Sequence, residues 1–290
     1  MKKFFSSQRY RLCAYSLLSI LVWSGKTFHP CAVANGESLV VGVESDAMHE
    51  EKRHLILPLS PGKEYSPKAL RDLALKSGFE KYYFVPDDYI RTFGRSETDE
   101  FFEIEEQPEL HDYVYLTSDL AELKGNKYSK KRNLIKQFRR EYADRVQIEK
   151  ITRSAVPECL DFLEKWCEER DCEADPDADL ACEKLAATNA LENLEILEGR
   201  GLLLRIDGVV SAFGIGSRVT EDMGAFHFEK AFSRIKGCYQ FFDNLCAKQL
   251  FKGYTYINKE SNMGVPGIAQ AKQSYHPVEI IKSYKLSVKA

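Results

Sequence analysis

The span from Phe226 to Pro277 constrains the fold more than any other stretch of the chain. Phe226 to Lys230 alternates as a strand does, with Phe226, Phe228 and Lys230 on one face and His227 and Glu229 on the other. The basic turn Arg234, Ile235, Lys236, Gly237 follows, then a helix from Gly237 to about Phe251, a strand at Tyr254 to Ile257 and a polar loop. A strand that turns through glycine into a helix aims the helix's unpaired N–H groups at one point, which makes an anion cradle. The same glycine also serves as a plain tight turn with no ligand.

The chain has 290 residues, 44% of them hydrophobic and 29% charged, which is globular composition with room for one large or two smaller domains. Its formal charge of -3 excludes a general nucleic-acid coat, because such proteins need a basic surplus to displace counterions. Any polyanion contact must be local. At the N-terminus, Lys2, Lys3, the apolar run Leu12 to Trp23 and the small residues Ala32 to Ala34 imitate a secretory signal. We set that reading aside, because Ser16 and Ser19 interrupt the run and Lys26, Phe28, His29 and Pro30 form a bulky polar spacer. The run is also shorter than the ~20 apolar residues of a membrane span. No transmembrane segment and a cytoplasmic location are expected. The cysteines (Cys13, Cys31, Cys159, Cys167, Cys172, Cys182, Cys238 and Cys246) form no Cys-x-x-Cys pair and read as reduced thiols. Cys167, Cys172 and Cys182 lack a His at ligand spacing, so no metal is expected.

Tyr10 to Trp23 reads as a helix, and Leu39 to Val43 and His54 to Leu59 as buried strands. Ser66 caps a helix that starts at Pro67 and runs to about Ser77. Lys81 to Val85, Phe101 to Glu105 and Tyr113 to Leu116 are further strands, with a short helix opening at Pro86. This is a mixed α/β layer pattern. A helix from Ser129 to Tyr142 carries Lys130, Lys131, Arg132, Lys136, Arg139 and Arg140 opposite an apolar stripe of Tyr128, Ile135, Phe138 and Tyr142. The acidic stretch Glu158 to Glu183 reads as two helices. Leu202 to Ile206 and Val209 to Ile215 flank the hairpin signal Asp207, Gly208. A short helix near Gly267 to Gln273 and a strand at Glu279 to Leu286 end the series.

That order, with a basic glycine turn between its fourth strand and third helix, resembles the GNAT acyltransferase fold. Arg234 to Tyr239 is similar to that fold's Arg/Gln-x-x-Gly-x-Gly/Ala signature through Gly237 and departs from it at Tyr239. A wider resemblance is carried by Asp112 to Gly125, Tyr128 to Asn133, Phe228 to Ala231, Lys236 to Gln240, Ile257 to Glu260 and Ala271 to Pro277. These look like the phosphatidylglycerol lysyltransferase C-terminal-like family, which is similar to the Fem aminoacyltransferases in pairing two GNAT-like domains. The resemblance implies an α/β (α+β, mixed-sheet) fold of two tandem GNAT-like domains over residues 1–125 and 146–290, joined by a basic helix over 126–145. It also implies a transferase that uses aminoacyl-tRNA or acyl-CoA as co-substrate, holds no permanent cofactor and modifies an amine or hydroxyl on a small acceptor. Aminoacyl-tRNA and anionic phospholipid are the partners it suggests. The transmembrane portion of the large lipid-modifying members is not read in this chain.

Transfer needs an acceptor relieved of its proton, an activated ester or thioester and donors for the developing oxyanion. Glu229, His227 and Glu260 are the candidates for base or amine recognition, and Tyr275 for leaving-group acid. Lys230, Arg234, Lys236, Gly237, Asn258 and Lys272 are the candidates for donor binding. Asn258 and Glu260 follow a strand end, where ligands gather in open α/β sheets. Lys130, Lys131 and Arg132 offer cations to the phosphates of a tRNA or a lipid head. The plainer readings are a surface strand pair for Glu229, packing for His227 and a solvated face for the basic helix. The alternative for the whole chain is a non-catalytic ligand-binding protein that keeps the tandem fold, motivated by Tyr239.

Overall fold

The computed structural model describes residues 2–25, 28–45, 49, 52–170 and 179–289; Cys172 lies outside them. The chain opens with α1 (Lys2–Ser6) and α2 (Leu17–Val22). Of the helix expected over Tyr10 to Trp23, only one 3-10 turn (Cys13–Tyr15) and α2 form. Ser16 is the reason, because its hydroxyl accepts from the Ser19 N–H and so starts a new helix. Tyr15, Leu18 and Val22 are nevertheless buried, so this segment is built into the cores. Next come β1 (Phe28–Asn35), β2 (Ser38–Ser45), β3 (His54–Leu55), α3 (Pro67–Lys76), β4 (Lys81–Pro86), α4 (Asp87–Phe93), α5 (Arg95–Phe101) and β5 (Phe102–Glu106). The middle of the chain holds β6 (Asp112–Leu116), α6 (Thr117–Glu122), α7 (Ser129–Tyr142), β7 (Val146–Lys150), α8 (Val156–Arg170) and α9 (Asp179–Glu192). The last third is β8 (Arg200–Ile206), β9 (Val209–Arg218), β10 (Met223–Ala231), α10 (Cys238–Gln249), β11 (Tyr256–Asn258), α11 (Pro266–Gln273), β12 (Glu279–Ile281) and β13 (Ser283–Val288).

These strands form two mixed sheets, ordered β1-β2-β3-β4-β13-β5 and β12-β6-β11-β10-β9-β8-β7. The boundary expected at residue 125 does not divide them. β6 lies inside the second sheet, and β13 pairs with both β4 and β5 in the first. The single strand expected from Glu279 to Leu286 breaks at Lys282 and serves both sheets. The second sheet has a core on each face. Phe162, Trp166, Phe213 and Phe228 fill the face under α8 and α9, while Phe138, Phe226, Phe242 and Phe251 fill the face under α7 and α10. Each such side chain contributes about 1.5–3 kcal/mol by leaving water, so these layers fix where the sheet's polar residues stand.

Two irregularities of β10 set up the site. A bulge lies between Phe226, paired with Gly216, and Phe228, paired with Ile215. The extra residue, His227, moves Phe226 to the α10 face with Glu229 and leaves Phe228 and Lys230 facing α8 and α9. This corrects the strict alternation expected from the sequence. The second irregularity is a fork. β10 and β11 run parallel with α10 as their crossover, yet share only three residue pairs, ending at Ala225 with Asn258. β10 continues along β9 to Ala231, and no described strand pairs with its other edge.

Candidate active site

Charged side chains fill the fork. Lys259, just past the end of β11, reaches Glu229 Oε2 on β10 at 3.1 Å and Asp243 Oδ1 on α10 at 2.8 Å. From α7, the Lys131 ammonium stands 3.8 Å from the centre of the Tyr275 ring and donates to Ser274 Oγ at 2.7 Å. Burial pushes the Glu229 carboxyl up to about 7, against the pull of Lys259. Burial works to lower Lys259, but Asp243 and Glu229 outweigh it and hold the ammonium well above its ordinary range. Lys131 is lowered by burial. Tyr275 is raised by burial and by the carboxylates of Asp243 and Glu229, so its phenol keeps its proton. A buried carboxyl raised toward neutrality beside a cation suits general-base work.

A second set of contacts locks the base of the fork. His227 Nδ1 meets Glu260 Oε1 at 2.6 Å, and His227 Nε2 meets Ser217 Oγ on β9 at 2.7 Å. The Glu260 carboxylate suits a hydrogen on Nδ1, and the Ser217 hydroxyl, able to donate or accept, completes the ring's second hydrogen bond. Asn258 donates from Nδ2 to Arg11 O at 3.0 Å and to Asp112 Oδ2 at 2.7 Å, while its Oδ1 accepts the Glu260 N–H at 2.7 Å. Lys272 on α11 donates to the carbonyls of Lys259, Glu260 and Ser261 at 2.5, 3.0 and 2.5 Å. Burial lowers the Lys272 ammonium to about 8, against the pull of Glu260 and Asp112.

The structure therefore gathers Glu229, His227, Glu260, Lys272 and Tyr275 at the fork and gives Asn258 a structural task, since all its polar atoms bond within the protein. Other expected donor-binding residues lie elsewhere. Lys230 is buried on the opposite face, paired with Glu183 and 4.0 Å from the Trp166 ring centre. Arg234 pairs with Glu169 and stacks on Phe232, and Lys236 is exposed. Gly237 has φ +80°, and a Cβ there would fall 2.3 Å from the Leu134 carbonyl oxygen of α7. Its local task is thus to let α7 and α10 touch. Of the basic trio, only Lys130 projects freely: Lys131 turns into the fork, and Arg132 donates to the carbonyls of Leu123 and Gly125 at 2.5 and 2.7 Å. Among the described residues no group of three or more His, Cys, Asp or Glu could hold a metal ion, and no helix is long and apolar enough to cross a membrane.

Sequence reasoning gave no role to Lys259, Asp243, Ser217 or Asp112. Asp243 left a signal, as an acid among the buried Phe242, Cys246 and Ala247 of α10. Lys259 left one too, inside the Ile257 to Glu260 stretch that carried the resemblance.

The sequence profile of the phosphatidylglycerol lysyltransferase C-terminal family matches residues 68–286, a span that includes β6, α7 and every residue of the fork. The chain belongs to this family. A protein of unknown function from Bacteroides thetaiotaomicron VPI-5482 is 30% identical, with a TM-score of 0.88 over 99% of this chain and 95% of that one. The C-terminal domain (DUF2156) of an Agrobacterium fabrum protein assigned as a lysylphosphatidylglycerol synthetase has a TM-score of 0.64 at 15% identity, over 100% of this chain and 90% of that one. L-PGS from Bacillus licheniformis has a TM-score of 0.62 at 13% identity, over 99% and 90%. The last two show the shared fold alone. No curated protein matches the chain.

Proposed function

We propose that this family member is an aminoacyl or acyl transferase whose general base is Glu229. The observation that carries the reading is the Glu229 carboxyl, brought to about 7 by burial in the fork and held beside the Lys259 cation. An acceptor amine or hydroxyl gives its proton to Glu229, and its lone pair attacks the donor's carbonyl carbon. The new C–N or C–O bond forms as the carbonyl becomes an oxyanion. When that oxyanion collapses, the bond to the donor's oxygen or sulfur breaks, and the leaving atom takes the proton held by Glu229. Tyr275, protonated against Asp243, is the second acid within reach of the cluster. Beyond Ala225, where no described strand pairs with that edge of β10, backbone N–H groups would serve as donors to the oxyanion.

Of the two donors, aminoacyl-tRNA is favoured over acyl-CoA. The N-terminus of α10, where a pyrophosphate would be cradled, is flanked by α7 at Gly237, and Arg234 is already committed to Glu169. The exposed Lys130, Lys136, Arg139 and Arg140 of α7 offer a phosphate-binding face instead. A tRNA donor carries a cytoplasmic location with it, and the family's description points to an anionic phospholipid as acceptor. The bridging of Glu229 by Lys259 favours, as a second reading, a ligand-binding site without chemistry.

Transfer from labelled aminoacyl-tRNA and from acyl-CoA, measured for the wild type and Glu229→Gln, decides between them. Loss of the base lowers turnover by about 10²–10⁴-fold with unfolding unchanged. A Glu229→Gln protein that works as well as the wild type removes Glu229 from the chemistry. A wild type that binds these donors and transfers neither leaves the second reading standing.

A further inference from the structure

Three successive carbonyl oxygens, those of Lys259, Glu260 and Ser261, converge on the single ammonium of Lys272. An extended backbone sends successive carbonyls to opposite sides, so this convergence requires a tight reversal. Glu260 supplies it, with φ at +58° in the left-handed region that a residue with a Cβ rarely adopts. Converging carbonyls repel one another, and a cation at their focus turns the repulsion into attraction. The reversal has a second effect. It sends the Lys259 side chain to Glu229 and Asp243, and the neighbouring Glu260 side chain to His227.

We propose that Lys272 is a positioning residue, whose charge holds the Lys259–Ser261 turn and through it the Lys259 ammonium against Glu229. The inference rests on the reading of the fork as the active site, but its test does not depend on turnover. Lys272 is the only charged residue of α11; facing it are the carboxylates of Glu260 and Asp112, the Lys259 ammonium, the Cys13 thiol and the ring of Tyr113. Facing Glu229 are Lys259, Asp243 and Lys131, with Tyr275, Cys238 and Cys246 around them. Lys259 is the nearest cation that pulls the Glu229 carboxyl down. If the turn relaxes and Lys259 withdraws, Glu229 must titrate higher.

The experiment is carbon-13 NMR of the glutamate carboxyl carbons across pH in the full chain, with the Glu229 signal assigned through Glu229→Gln. In Lys272→Met the Glu229 midpoint rises by about one pH unit, and Lys272→Arg restores it in part. A purely structural role would lower stability without moving that midpoint. An unmoved midpoint in a folded Lys272→Met protein overturns the proposal. Should that variant fail to fold, the wild type provides the test. As Lys272 loses its charge near pH 8, the amide signals of Glu260 and Ser261 shift together, and their indifference to pH between 7 and 9 overturns the proposal equally. Neither result depends on whether Glu229→Gln abolishes transfer.

Discussion

One buried carboxylate ties the N-terminal segment to the fork. Asp112 Oδ2 accepts the Cys13 N–H and Asn258 Nδ2, each at 2.7 Å, and burial still pushes its carboxyl up to about 6 against those bonds. The folded protein therefore keeps this proton to about pH 6, whereas the unfolded carboxyl releases it near pH 4. The folded state binds more protons in that window, so stability falls as pH rises from about 4 to about 6 and is level above. Asp112→Asn removes this contribution, ~3 kcal/mol across the window. Urea unfolding at pH 4, 5, 6 and 7 checks it, and a difference from wild type that stays constant with pH would count against it. At this scale the sequence was half legible. Glu229, His227, Glu260 and Tyr275 stood out by residue type and place, but their partners Lys259, Asp243 and Ser217 come from other elements. A pairing across elements is set by packing, which no spacing along the chain encodes.

Among the elements, α7 and α10 depend on one another at a single point. Gly237 has a positive φ and meets the Leu134 carbonyl where a Cβ would stand. Gly237→Ala adds backbone strain to a clash with main chain that cannot rotate away, and is expected to cost about 2–4 kcal/mol. Chemical denaturation measures it; an alanine variant as stable as wild type would show that this contact does not set the approach of the helices. α7 itself was readable end to end, because its apolar stripe and basic face follow the helical period and its bounds match. β1 was not. It is an edge strand whose side chains are mostly exposed, so burial imposes no alternation on it, and an edge tolerates Pro30. The bulge at His227 was equally silent, since Phe226 to Lys230 keeps a period of two through a residue that the strand does not pair.

Across the whole molecule the two sheets are interleaved rather than strung in series. β6 leaves the first half of the chain for the second sheet, and β13 returns to fill the gap between β4 and β5. Removing residues 283–289 takes Leu286 out of the first core and bares two strand edges. Such a truncation should form aggregates on size exclusion and lose cooperative unfolding; a monomeric, cooperatively unfolding product would show that β13 is dispensable.

The returning strand also imposes a timetable on synthesis. β5 ends at Glu106 and β13 begins at Ser283, so a ribosome adding ~5–20 residues per second leaves roughly 10–35 s between them. Throughout that interval β4 and β5 have left the peptidyl-transferase centre while the strand that joins them has yet to be made. The nascent chain thus carries a pair of waiting edges, an opening for a chaperone to occupy until β13 emerges and closes it.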